Sequence, residues 1–99
     1  MISQLRIYTI NPGMMDSWTK LFKEKIAPIH KKHGMPVERA WINEEGSEFV
    51  WVRTFANKAE MEEKSAGWQE LPERKALGDE PSRHIAKMDV RVIGAVELV

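Results

Sequence analysis

The sequence predicts an α+β fold: a four-stranded antiparallel sheet with two helices on one face, in the order β-α-β-β-α-β. Three observations predict it. Four runs rich in β-branched and aromatic residues alternate at a period of two. A long amphipathic stretch follows the first run, and a shorter capped one follows the third. A polar loop of hairpin length joins the second run to the third. At 99 residues the chain has the length of one domain, read as spanning 1–99.

Ile2 to Ile10 forms the first strand, with Leu5, Ile7 and Thr9 alternating against Gln4, Arg6, Tyr8 and Ile10. Asn11-Pro12-Gly13 ends it, joining a locked φ to a residue free to turn. From Met14 to His33, Met15, Trp18, Phe22, Ile26 and Ile29 recur at three- and four-residue steps. Lys20, Lys23, Glu24, Lys31 and Lys32 occupy the outer side of that helix, and Gly34 stops it. Pro28 lies inside the pattern and lacks a backbone donor, so a bend is expected there.

Val37–Asn43 and Glu48–Phe55 are the second and third strands, separated by Glu44-Glu45-Gly46-Ser47. Asn57 and Glu60 have the spacing of a capping box and open a helix from Lys58 to about Ala66. Residues 67–83 are irregular, interrupted by Gly67, Pro72, Gly78 and Pro81, with one turn available over Glu73–Leu77. Ile85 to Val99 is the last strand, with Gly94 as a site for a bulge. This order is that of the ferredoxin-like arrangement.

Composition excludes several function classes. With 0 Cys there is no disulfide scaffold, no thiolate-held zinc or iron–sulfur cluster and no thiol nucleophile. Fifteen basic and fifteen acidic residues give a net charge of +0, which supplies no bulk attraction to nucleic acid or to an anionic membrane. No apolar run reaches the length of a membrane span or a secretory signal, so the expectation is a cytoplasmic protein. His30 and His33 are three apart on one helix, but no third ligand accompanies them, and neither a metal nor a cofactor is expected. His84 stands alone.

Alternation sorts the strands into two sets. Leu5, Ile7, Thr9, Ala40, Ile42, Val50, Val52, Met88, Val90 and Val92 are aliphatic and uncharged, as a face beneath helices requires. Arg6, Tyr8, Ile10, Arg39, Trp41, Asn43, Phe49, Trp51, Arg53, Phe55, Lys87, Asp89 and Arg91 form an aromatic and cationic set. Two helices cannot cover both sides of a sheet, so the aromatic set is expected to meet a second copy of the chain in a face-to-face homodimer.

The residues resemble the NIPSNAP family of the dimeric α/β-barrel superfamily. The likeness rests on Leu5-Arg6-Ile7-Tyr8-Thr9-Ile10 leading into Pro12-Gly13, on Trp18 and Phe22, and on Lys32-His33-Gly34. Ala40-Trp41, Glu45-Gly46, Glu48-Phe49-Val50 and Trp68-Gln69 continue it. Gln4 stands where such proteins often carry Glu, and the second helix is acidic where theirs is often Arg-rich. The resemblance implies a ferredoxin-like protomer, a dimeric α/β barrel and no agreed chemistry.

Arg6, Tyr8, Trp41, Trp51 and Arg53 are the candidate ligand-binding residues. Aromatic walls suit a flat apolar molecule, and Arg forks pin a carboxylate. Interface packing is the competing account, since Trp, Tyr and Arg are also the types that interfaces favour. The expected function is binding of a small aromatic or anionic ligand. The alternative is a cofactor-free, monooxygenase-like oxidoreductase, or a lyase or isomerase, acting on an aromatic substrate. Whether the protein is an enzyme is left open by the sequence, which shows no Ser-His-Asp pattern, P-loop or dinucleotide fingerprint.

Overall fold

A computed structural model describes residues 1–98 of the chain. Strand β1 (Ile2–Ile10) is followed by a helical stretch in three pieces: α1 (Met15–Leu21), a π-helical turn (Phe22–Ile26) and α2 (Ala27–Lys32). Then come β2 (Val37–Ile42), β3 (Glu48–Phe55), α3 (Lys58–Trp68), the short helices α4 (Pro72–Ala76) and α5 (Glu80–His84), and β4 (Ile85–Gly94). The sheet order is β2-β3-β1-β4 with every pairing antiparallel, the ferredoxin-like topology. No helix among the described residues is long and apolar enough to cross a membrane.

The helical stretch shows how sequence spacing becomes packing. Trp18, Phe22, Ile26 and His30 are all buried and lie four residues apart. On a 3.6-residue helix a strict four-residue repeat drifts by about 40° per step, which would carry the last of them off the sheet. The π-helical turn is wider, with i→i+5 bonds such as Ala27 N–H to the Phe22 carbonyl, and it takes that drift out. It also moves the inward face by one residue. His30 occupies the place the α-helical period assigns to Ile29, and His33 swings out towards Glu73. The irregularity falls just before Pro28 rather than on it, in the turn whose carbonyls would otherwise have bonded the N–H that the proline lacks.

The structure reverses the expected face assignment in β1 and β3. Gln4, Tyr8, Ile10, Phe49, Trp51, Arg53 and Phe55 lie beneath the helices and are buried. Leu5, Ile7, Val50 and Val52 lie on the open side of the sheet, only part-buried. Charge was a misleading guide here. Aromatic side chains bury far more area than valines, and two guanidiniums are carried into the interior with them. Trp18 packs edge-on against Tyr8 and Phe49 at 5.8 Å each, and Phe22 contacts Phe49 at 4.7 Å and Trp51 at 5.2 Å.

In β2 the register pairs Ala40 with Trp51 and Trp41 with Val50, so Trp41 and Trp51 occupy opposite faces. In β4, Met88 and Val90 pair with Tyr8 and Arg6 on the helix side, whereas Asp89 and Arg91 pair with Ile7 and Leu5 on the open side. The last strand ends at Gly94 rather than continuing through Leu98, the expected end at Val99 lies outside the described residues, and the bulge sits elsewhere. Thr9 pairs with Lys87 and Ile10 with Ile85, leaving Ala86 unpaired.

The segment expected to be irregular contains α4 and α5. His84, at the end of α5, is buried: its Nδ1–H donates to the Glu80 carbonyl at 2.7 Å, so its Nε2 accepts from Ser17 Oγ at 2.8 Å. That pair fastens α5 to α1. The capping box at α3 is present in a shifted form. Asn57 Oδ1 accepts from the Glu60 amide at 2.9 Å, and Glu60 Oε2 accepts from the Ala56 amide at 2.8 Å. Asn57→Ala removes the acceptor for an amide with no helical partner, and urea unfolding should report a loss of about 1 kcal/mol.

Candidate functional site

Cross-strand pairs on the helix side of β1 and β3 build the floor of a cavity of about 300 Å³. The register sets Gln4 opposite Arg53, Arg6 opposite Trp51 and Tyr8 opposite Phe49. The helices supply Trp18, Phe22, Ile26 and His30 from one side. Ser65 and Trp68 of α3, Arg74 of α4 and Pro81 of α5 close it from the other, with Met88 of β4 at the rim.

Arg6, Tyr8, Trp51 and Arg53, four of the five residues singled out from sequence, line this one cavity. Trp41 does not. It is 46% exposed on the edge strand and borders a separate surface groove with Val37 and Arg39. Of the further polar residues lining the cavity, His30, Gln4 and Arg74 carry no sign of that place in the sequence. His30 was hidden by the π-helical register, Gln4 reads as an ordinary strand polar residue, and Arg74 lies on a helix too short to carry a periodicity signal.

Arg53 is the electrostatic centre. It is only 4% exposed, yet no carboxylate among the described residues pairs with it or with Arg6. No Asp or Glu among the described residues lines the cavity. Arg53 Nε donates to Gln4 Oε1 at 2.7 Å, and one terminal nitrogen donates to His30 Nε2 at 3.0 Å. Its guanidinium lies 5.6 Å from the Trp51 ring centre and 5.9 Å from that of Phe55. Burial, and then the like charge of Arg6, push its pKa down to about 10, so it remains charged at neutral pH.

Arg6 Nε donates to the Tyr8 hydroxyl at 2.8 Å and its Nη1 to Gln4 Oε1 at 3.0 Å, so one amide oxygen serves two guanidiniums.

His30 is held neutral. Its Nδ1–H must donate to the Ile26 carbonyl at 2.9 Å, since a carbonyl can only accept, and this leaves Nε2 as the acceptor for Arg53. The ring stacks on Trp68 at 4.0 Å and meets Trp51 edge-on at 5.1 Å. Burial first, and then the neighbouring guanidiniums, push its pKa down to about 4. A protonated His30 would point a second donor at Arg53. His33, three residues on, leaves the cavity and joins Lys32 on Glu73 Oε2, at 3.0 and 2.7 Å. This clamp anchors α4, which carries Arg74 to the site.

The indole N–H groups of Trp18 and Trp51, both rings lining the cavity, have no hydrogen-bond acceptor among the described residues. Donors and positive charge are therefore in surplus, while the strongest potential base, His30 Nε2, is already occupied. Such an arrangement holds an anion well and is poorly equipped to remove a proton.

Residues 3–98 match the family model described as NIPSNAP. A NIPSNAP domain protein from Burkholderia xenovorans superposes with a TM-score of 0.89 at 12% identity, over 100% of this chain and 98% of that one. A NIPSNAP family protein from Agrobacterium tumefaciens gives 0.86 at 21% identity, over 98% and 94% of the two chains. An antibiotic biosynthesis monooxygenase gives 0.72 at 15% identity, over 98% of this chain and 100% of that one. At these identities the likenesses establish the fold alone. No curated protein matches the sequence.

The His30 geometry dictates a pH dependence. An unfolded chain takes up a proton near the ordinary value of 6.5, whereas the folded one resists until about 4. Stability should therefore fall as pH drops through that window, by about 3 kcal/mol in all, with the contribution intact above it. Glu73, whose pKa is pushed down to about 2 by its bonds from Lys32 and His33, acts below that window, its contribution fading from 4.5 downwards. Urea unfolding between about pH 7 and pH 4 measures the first effect. Nitrogen-detected NMR of the ring should show the Nδ1–H tautomer persisting at about pH 5.

Proposed function

The chain belongs to the NIPSNAP family, and we propose that this member binds a small, flat, anionic molecule, such as an aromatic carboxylate, in the cavity between its sheet and helices. One observation carries the reading: a buried guanidinium with no carboxylate partner among the described residues, beside a second one, in an aromatic-walled cavity that no acidic residue lines. A bidentate carboxylate would satisfy the free donors and offset the charge, while Trp51, Trp68 and Tyr8 provide faces and edges for a ring. A cavity of about 300 Å³ suits a single-ring acid.

The fold likeness to an antibiotic biosynthesis monooxygenase favours a second reading, cofactor-free oxygenation or lyase or isomerase chemistry on an aromatic substrate. Such reactions begin by removing a proton from the substrate. Here both His30 nitrogens are engaged and the Tyr8 oxygen accepts from Arg6, so binding is the better supported of the two.

Assembly belongs to the same proposal. The open sheet face presents Leu5, Ile7, Val50 and Val52 at its centre, with Trp41 and Ile93 exposed beside them and Arg39, Lys87, Asp89 and Arg91 around them. An apolar centre with a charged rim is the anatomy of a two-fold interface, and we read the chain as a homodimer through this face rather than through the aromatic one. Light scattering should report a dimer at micromolar concentration, and Val52→Glu should give a folded monomer. A wild-type monomer overturns this part.

The ligand proposal is tested by thermal shift with matched aromatic acids and their neutral amides. The acids should stabilise and the amides should not. Arg53→Met should weaken acid binding at least about tenfold, the cost of losing a charge-assisted fork. Arg91→Met should leave it unchanged, since Arg91 pairs with Asp89 on the opposite face. Equal response to acid and amide overturns the reading.

A further inference from the structure

A buried guanidinium is ordinarily neutralised by a carboxylate. Among the described residues, the one side chain that accepts hydrogen bonds from both Arg6 and Arg53 is instead an amide, Gln4, which is itself buried. Its Oε1 accepts from Arg53 at 2.7 Å and from Arg6 at 3.0 Å, and its Nε2 donates to Ser65 Oγ at 3.2 Å. The arginines fix the orientation of the amide, because a guanidinium can only donate and must face oxygen. The Ser65 hydroxyl then takes the nitrogen end.

We propose that Gln4 determines the charge selectivity of the cavity: it is a neutral acceptor that aligns two guanidiniums and leaves their charge for a ligand anion. The inference rests on the ligand-binding reading above. An amide oxygen satisfies hydrogen bonds but carries no formal charge, so the arginines are held in place without being neutralised. A carboxylate at the same position would make two charge-assisted bonds, cancel one positive charge and repel an incoming acid. An apolar residue would leave the guanidiniums unanchored. The register makes the position decisive, since Gln4 lies directly across the strand pair from Arg53 and two residues from Arg6 on the same face.

The test compares the wild type with Gln4→Glu and Gln4→Met, using benzoate and benzamide as probes at fixed ionic strength. Without ligand at neutral pH, Tm should rise in the order Gln4→Met, wild type, Gln4→Glu. The gain of Gln4→Glu should be full at neutral pH and shrink as pH falls below about 4. There the unfolded chain's glutamate takes up its proton while the folded one, held by two guanidiniums, resists. Calorimetric titration should show benzoate binding at least about tenfold weaker in Gln4→Glu than in the wild type, with the benzamide response unaltered. A wild type indifferent to benzoate removes the ligand-binding reading, and the stability order with its pH dependence then judges Gln4 alone. A Gln4→Glu protein no more stable than wild type at neutral pH overturns the proposal. So does a stability gain of the same size at about pH 3 as at neutral pH. In a wild type that binds benzoate, unchanged benzoate affinity in Gln4→Glu overturns it as well.

Discussion

The buried guanidinium of Arg53 constrains everything around it. A charge taken out of water costs several kcal/mol unless its donors are met, and this protein meets them with neutral groups, the amide oxygen of Gln4 and the unprotonated nitrogen of His30. Each of those acceptors must in turn be held the right way round. Ser65 takes the other end of the amide, and the Ile26 carbonyl takes the ring's one proton. The chain of requirements runs from the middle of the sheet through α2 and α3. It explains why a polar cluster persists in an interior otherwise filled by Trp, Phe and Tyr.

The aromatic residues and the arginines are one solution rather than two. Trp51 lies beneath both guanidiniums, 5.5 Å from Arg6 and 5.6 Å from Arg53, so the ring that packs against Phe22 also softens the cost of the charge. Around the cavity, the elements differ in how firmly they are held. The sheet and the long helical stretch share the buried core. Helix α4 has no buried residue of its own and is held by Lys32 and His33 through Glu73.

Much of the fold is legible in the sequence because it rests on local signals. Strand β3 begins and ends where alternation places it, and Asn57 caps the helix that follows. The site is legible by residue type but not by place. Arg6, Tyr8, Trp51 and Arg53 do gather, since the β1–β3 pairing sets Arg6 opposite Trp51 and keeps all four on one face. Which side of the sheet the helices choose depends on comparing whole surfaces, and the absence of charge on Leu5, Ile7, Val50 and Val52 pointed the wrong way. Trp41 was misplaced because alternation within a strand does not fix its register against a neighbour. His30 and Gln4 carry no signal of their own. Their roles arise from what lies opposite them.

The π-helical turn between α1 and α2 separates two tasks that a uniform helix would bind together. Upstream of it Trp18 and Phe22 pack the core, and downstream His30 addresses the cavity. Straightening that turn to plain α-helix at unchanged length would rotate everything beyond it, bringing Ile29 to the cavity in place of His30 while Trp18 stayed packed. The widened turn thus acts as a joint in the evolutionary sense. One residue gained or lost there is taken up by the width of the turn, so both halves of the helix keep their facing while the chain between them changes length.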